Sequence, residues 1–220
     1  MNGIEELPNG QWILEDDTHI SQWSREWGTI KCDPALFDIL TALLTNVDVV
    51  WDIGAFIGDH TRFYLDLGKK VVAVEPNPLA FQCLSHNCPE AIVLNVAASD
   101  DIGTLRFVTS ENAGASRVVY DGPIEVQSVR MDDMDIPTPG FVKIDAEGWE
   151  YEVIAGMSGT LQENHPLMFI EINDAALKVN GRSANDIVIL LENLGYNKFQ
   201  IHPSYVKWSD PQFDILVSKC

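Results

Sequence analysis

The stretch "VVWDIGAFIGDHT" (Val49 to Thr61) constrains what this chain can fold into more than any other. Its apolar first half reads as a buried strand, Gly54 marks a tight turn, and "DHTRFYLDLG" continues as a helix that stops at Gly68. A strand, a glycine turn and a helix in that order open an α/β unit whose turn approaches a nucleotide-like ligand.

The alternation continues downstream. "VDVVWDI" (Val47 to Ile53), "KVVAVEP" (Lys70 to Pro76), "AIVLNVAAS" (Ala91 to Ser99), "FVKIDAEG" (Phe141 to Gly148) and "LMFIEIN" (Leu167 to Asn173) are rich in apolar residues on both faces, as buried parallel strands must be. "KFQIH" and "FDILVSK" lie close together and read as an antiparallel edge pair. Helices fit between them: "DPALFDILTALL", with Asp33 as N-cap and Pro34 at the first helical position, then "PLAFQCLSHN", "EYEVIAGM" and "SANDIVILLENLGY". The pattern predicts a single Rossmann-like α/β domain over residues 1–220, a three-layer sandwich around a seven-stranded sheet. Residues 47–220 form its core, and residues 1–46 are an extension whose first 32 residues lie across the sheet. "GTLRFV" and "IEVQSVRM" add a hairpin around the Gly/Ser/Asn-rich run Thr109 to Gly122, long enough for a mobile lid.

Composition matters here for what it excludes. Thirty-three acidic residues against 14 Lys and Arg leave a net charge of −19, which opposes binding to nucleic acid or an anionic membrane. No stretch reaches the roughly 20 apolar residues of a membrane helix, and the first residues carry no signal-peptide pattern. The expectation is a soluble, cytoplasmic protein. Cys83, His86 and Cys88 in "CLSHNC" have a metal-like spacing, but no second pair completes a zinc set, so reduced thiols on a sheet-facing helix are expected.

The turn discriminates among ligands. A dinucleotide fingerprint would carry glycines where this chain has Phe56 and Asp59, and Asp59 at a helix start would repel a diphosphate. No Gly-Lys-Ser/Thr follows, so it is not a P-loop. S-adenosyl-L-methionine has no phosphate and suits the residues better. Gly54 and Ala55 allow close backbone approach, Asp52 is placed for the ammonium, and Glu75 in "AVEPNP" is placed for the two ribose hydroxyls. Gly58, His60 and Thr61 set the helix start and the cofactor's edge. Pro76 and Asn77 follow Glu75, while Ala97 and Ala98 in "NVAASD" leave room for adenine.

Three blocks between about Val49 and Asn173 carry a family resemblance: "DIGAFIGDHT", "AVEPNPLAFQCLSHN" and "VKIDAEGWEYEVIAGM". The chain resembles the FkbM family of S-adenosylmethionine-dependent methyltransferases, with Phe56 replacing that family's usual turn Asn. The resemblance implies a class I methyltransferase sheet with an antiparallel last strand. It also implies O-methylation of a hydroxyl on a sugar, polyketide or similar small molecule.

The chemistry of methyl transfer is expected at the end of the fourth main strand. Asp145 and Glu147 alternate there, so both point to one side, and Glu171 joins from the neighbouring strand. Lys143 shares the side of Asp145 and either neutralises a carboxylate or acts as base. Clustered carboxylates raise each other's pKa, which suits a general base, and they offer oxygens to a divalent cation, with Asn173 or Asp174 as further ligands. The acceptor, a small molecule or saccharide, is expected between the N-terminal extension and the Asn112–Asp121 loop, with Trp12, Trp23, Trp27 and Trp149 as stacking candidates. Two other readings remain open here: a non-catalytic S-adenosylmethionine-binding protein, and a nicotinamide-dependent oxidoreductase. Oligomeric state is open as well.

Overall fold

The computed structural model describes residues 3–109, 117–119, 122–201 and 212–219. An N-terminal hairpin, β1 (Ile4–Glu6) and β2 (Trp12–Leu14), precedes helix α1 (Ile20–Trp27). A 3₁₀ turn at Pro34–Leu36 leads into α2 (Phe37–Leu43), with the Asp33 side chain accepting from the Ala35 amide as its cap. The alternating unit follows: β3 (Val49–Ile53), α3 (Asp59–Asp66), β4 (Lys70–Val74), α4 (Pro78–Asn87) and β5 (Ile92–Leu94). Then come β6 (Ala97–Ala98), β7 (Gly103–Val108), β8 (Arg117–Val119), β9 (Ile124–Val129), β10 (Phe141–Ile144), α5 (Glu150–Gly156) and α6 (Ser158–Asn164). β11 (Leu167–Asn173), α7 (Asp174–Val179), α8 (Ala184–Asn193), β12 (Lys198–Ile201) and β13 (Gln212–Ser218) complete the chain.

Seven strands form one sheet in the order β12-β13-β11-β10-β3-β4-β5. β3, β4, β5, β10 and β11 are parallel, and β13 lies antiparallel between β11 and β12. Both faces are covered. Trp51, Ile53, Val142 and Ile144 pack with Val153, Ile154, Ile187 and Leu191 of α5 and α8 on one side. Val50, Val71, Ala73 and Phe141 meet Leu40, Leu44, Tyr64 and Leu84 of α2, α3 and α4 on the other. Neighbouring strand residues therefore serve opposite cores, which is why these strands are apolar throughout. Among the described residues, no helix is long and apolar enough to cross a membrane.

Two expectations change. The third strand does not run from Ala91 to Ser99. The Asn95 side chain donates to the Glu75 and Pro76 carbonyls (2.8 and 3.2 Å), and the chain leaves the main sheet there. Ala97–Ala98 instead pair with β9 in a four-stranded sheet, β6-β9-β7-β8, which contains the expected β7–β9 hairpin. The N-terminal segment packs on α4 and the glycine turn rather than across the sheet, joining Leu7, Ile13 and Leu14 to Phe56, Ile57, Ala80 and Cys83. Asn87 fastens it, accepting from the Trp12 amide and donating to the Trp12 and Ile57 carbonyls, each at 2.8 Å. In the Cys83–His86–Cys88 run the thiols are buried and the imidazole is engaged elsewhere. Burial pushes both thiols up to about 12, and His86 stacks on Trp12 with its Nε2 on the Gly10 carbonyl at 2.8 Å. The lid expectation falls largely on residues 110–116 and 120–121, outside the described residues.

Candidate active site

A cavity of about 380 Å³ lies across the C-terminal ends of β3, β4, β10 and β11. This is where an open α/β sheet gathers ligands, because the turns that follow the strands diverge there.

The glycine turn forms its floor. Gly54 has φ +81°, and a Cβ there would lie 1.7 Å from the Asp145 carbonyl oxygen, so only glycine lets β3 and β10 close at this point. The Gly54 and Ala55 amides both donate to the Val74 carbonyl (2.9 and 3.0 Å), drawing the turn against the end of β4. Phe56 adopts φ +47°, a left-handed conformation that costs a bulky residue energy and that Asn tolerates better. Two interactions offset that cost. The Phe56 amide donates to Glu75 at 2.9 Å, and its ring joins the cluster formed with the N-terminal hairpin. The ring lines the cavity without closing it.

Glu75 is 5% exposed and also accepts from the Asn77 amide at 2.7 Å. Each carboxylate oxygen thus takes one backbone donor and keeps acceptor capacity towards the cavity. Pro76, Ala97, Ala98, Phe107, Val118 and Trp149 make an apolar slot beside it, and the Trp149 indole N–H donates to Ser99 at 3.3 Å. The opposite end is acidic, with Asp33, Asp59, Lys143, Asp145, Glu147, Glu171 and Asp214 in its walls. His60 is at this end too. Burial and the Lys143 charge hold its pKa well below the ordinary value, so it stays neutral.

Five expected cofactor residues do not line the cavity. Asp52, Ala55, Gly58, Thr61 and Asn77 are buried behind its wall. Asp52 is fully buried, accepts from the Thr61 hydroxyl at 2.6 Å, and presents its other oxygen to Lys143 Nζ at 4.0 Å. That oxygen has no hydrogen-bond donor among the described residues. Gly58 serves packing, since a Cβ there would lie 2.8 Å from Cys88 Sγ, and Asn77 caps α4 through the Leu79 amide.

Lys143 is 6% exposed and lies 3.1 Å from Asp145. Burial alone would lower its pKa, but Asp145 and Asp52 hold it well above the ordinary value. The two carboxylates thus favour its charged form. Asp145 and Glu147 do converge, though not by strand alternation. β10 ends at Ile144, and Glu147 and Gly148 take left-handed conformations (φ +50° and +98°). The Glu150 side chain holds this turn, accepting from the Ala146 and Gly148 amides at 3.1 and 2.9 Å. One oxygen each from Asp145, Glu147 and Glu171 fall within 4.8 Å of one another, a geometry that could hold a cation but that acidic groups of this exposure also adopt without one.

Asp214 and Gln212 were not singled out in the sequence. Asp214 faces Glu171 across the β11–β13 pair, and the Gln212 side chain donates to Glu171. An acid inside the otherwise apolar "FDILV" was the available signal. Of the four tryptophans proposed for stacking, Trp23 and Trp149 line the cavity, while Trp12 stacks on His86 and Trp27 lies under Lys31.

The buried acids carry a pH consequence. Burial pushes Asp59, Glu75, Glu150 and Asp214 each up to about 7, and moves Asp52 and Glu171 in the same direction. Between the ordinary carboxylate range near pH 4 and about 7, the folded chain binds more protons than the unfolded chain. Stability must therefore fall as pH rises through that window. Thermal unfolding of the ligand-free protein is expected to show a Tm at about pH 8 lower than at about pH 5 by roughly 5 °C or more. A Tm that rises over that interval would contradict the buried-acid description.

The wall suits a ligand bearing a diol, a flat apolar ring and positive charge. It does not suit a diphosphate, for which Asp59 at the start of α3 is repulsive.

Comparison with known proteins agrees. The family model for the methyltransferase FkbM domain matches residues 52–198. A hexuronic acid methyltransferase, AglP, of Haloferax volcanii is 33% identical over 138 residues, covering 57% of this chain and 57% of its own length. A 2-O-methyltransferase, NoeI, of Sinorhizobium fredii is 28% identical over 168 residues, covering 63% of this chain and 69% of its own. Among solved structures, the FkbM methyltransferase of Methylobacillus flagellatus superposes with TM-score 0.56 at 18% identity, over 78% of this chain and 43% of that one. A TehB-like S-adenosylmethionine-dependent methyltransferase of Corynebacterium glutamicum gives 0.51 at 13% identity, over 92% and 98%. These two superpositions bear on the fold, which is the Rossmann-like class I methyltransferase sandwich with its antiparallel strand near one edge. With the domain match spanning most of the chain, the protein belongs to the FkbM methyltransferase family.

Proposed function

We propose that the protein transfers a methyl group from S-adenosylmethionine to a hydroxyl of a saccharide-like small molecule. The observation that carries this reading is one continuous cavity with Glu75 and an apolar slot at one end and Lys143, Asp145 and Glu171 at the other. Two relatives named for methylation, one of a hexuronic acid and one at a 2-O position, support a sugar hydroxyl as acceptor.

Bound here, the cofactor supplies an electrophilic methyl on a sulfonium whose displacement leaves a neutral thioether. The chain's part is to position, exclude water and move one proton. Glu75 would accept from the ribose hydroxyls, the Gly54 turn would admit the amino acid end, Ala97, Ala98 and Trp149 would enclose adenine, and His60 would lie at the cofactor's edge. Asp145 is the group that would take the acceptor's hydroxyl proton. Lys143 fixes the orientation of Asp145, and Glu147 and Glu171 hold neighbouring donors of the acceptor. The whole chain acts as one domain, with residues 1–46 shaping the acceptor side through His19, Ile20, Trp23 and Lys31.

The test is thermal unfolding with S-adenosylmethionine, S-adenosylhomocysteine and NAD. A ligand at 100 times its Kd adds about 2.7 kcal/mol, or roughly 5–10 °C for a chain of this size. Shifts with the first two and none with NAD are expected. A shift with NAD alone would replace this reading by the oxidoreductase, and no shift with any would remove it.

A further inference from the structure

The acceptor end of the cavity contains an acid, Asp214, to which the transfer chemistry assigns no part. Glu171 on β11 and Asp214 on β13 are direct partners across an antiparallel pair, so their side chains leave the same face of the sheet. Both line the cavity. Asp214 is 5% exposed, and among the described residues no hydrogen-bond donor reaches its carboxylate. A buried carboxylate without donors is costly unless a ligand supplies them.

The surroundings determine which ligand can. Asp145 and Glu147 act electrostatically on this pair, and Asp33 and Asp59 line the same cavity. The lysines in the lining are committed elsewhere. Lys143 pairs with Asp145 and Asp52, and Lys31 lies 4.4 Å above the Trp27 ring. A carboxylate entering this space meets like charge on several sides, and like-charge juxtaposition costs several kcal/mol. A ring bearing hydroxyls or an ammonium brings donors to these carboxylates. Burial and the Asp145 charge push Asp214 up to about 7, so above that pH its carboxylate is charged.

We infer that the acceptor is a non-anionic saccharide, a neutral or amino sugar rather than a uronate, and that Asp214 beside Glu171 sets this choice. The inference rests on the saccharide reading above. It gives this chain the opposite charge preference from the one expected of a site for a hexuronic acid.

The experiment is S-adenosylhomocysteine release by the full chain at about pH 8, above the ordinary carboxylate range. Methyl glucoside, methyl glucosaminide and methyl glucuronide are supplied at matched concentrations. The neutral and amino glycosides are expected to exceed the glucuronide in kcat/KM by roughly tenfold or more. Asp214→Asn should shrink that ratio severalfold, because the isosteric amide removes the charge and keeps an acceptor. Equal or better use of the glucuronide by the wild type overturns the inference while leaving the saccharide reading intact. So does a ratio unchanged in a folded Asp214→Asn protein, as far as that residue is concerned. Transfer to none of the three, with the S-adenosylhomocysteine shift in Tm still present, overturns the saccharide reading itself.

Discussion

Asp145→Asn is expected to lower kcat by roughly 10²- to 10⁴-fold, the range lost when a positioned general base is removed, or about 2.7–5.5 kcal/mol of barrier. The amide keeps an oxygen for Lys143, which lies 3.1 Å from the carboxylate, and Asn fits the same space. S-adenosylhomocysteine affinity should therefore change by no more than about threefold, with the loss confined to the chemical step. Single-turnover transfer and a separate binding isotherm make the distinction. A variant that keeps more than a tenth of wild-type kcat would mean that another group takes the proton, with Glu171 next in line.

Gly54→Ala should fail differently, in folding and in cofactor binding together. The new Cβ would lie 1.7 Å from the Asp145 carbonyl oxygen and 2.8 Å from its carbon, so β3 and β10 must part at the floor of the cavity. Overlap with backbone and a φ of +81° place the cost at about 4 kcal/mol or more. At about 2–4 °C per kcal/mol for a chain of this size, the Tm falls by roughly 8–16 °C. Gly68→Ala is the internal control. Its φ of +75° is nearly the same, but nothing lies within 4 Å of the added methyl. Backbone strain alone costs about 1–2 kcal/mol. Equal losses in the two variants would show that strain, and not closure of the strands, makes Gly54 necessary.

Much of the framework could be read from the chain before any coordinates. The central parallel strands are legible because each serves two cores, so their residues are apolar without interruption. Helix α4 is legible to the residue, since "PLAFQCLSHN" spans it from Pro78 to Asn87, although its cap Asn77 read as a cofactor residue. The hairpin β1–β2 was not. Its strands have 3 residues each, too few for any periodicity, and they form because Asn87, 75 positions from Trp12, supplies their anchors. The site shows the same division. The motif "KIDAEG" placed Asp145 and Glu147 together, but alternation was the wrong reason. The strand has ended by then, and a left-handed turn held by Glu150 brings the acids round. Asp52 looked available because it ends a strand. Its engagement by Thr61 and Lys143 needs the third dimension. Asp214 belongs to the site only through its register with Glu171, a pairing that no local pattern announces.

Asn87 has a consequence beyond anchoring. Its amide bonds both to Trp12 in the hairpin and to the carbonyl of Ile57 in the glycine turn, one residue from the strained Phe56. Opening of the hairpin and loosening of the turn are thus coupled equilibria. Whatever holds the turn in place must also protect the hairpin amides from exchange with solvent. By reciprocity, anything that clamps the hairpin tightens the grip of a pocket it never touches.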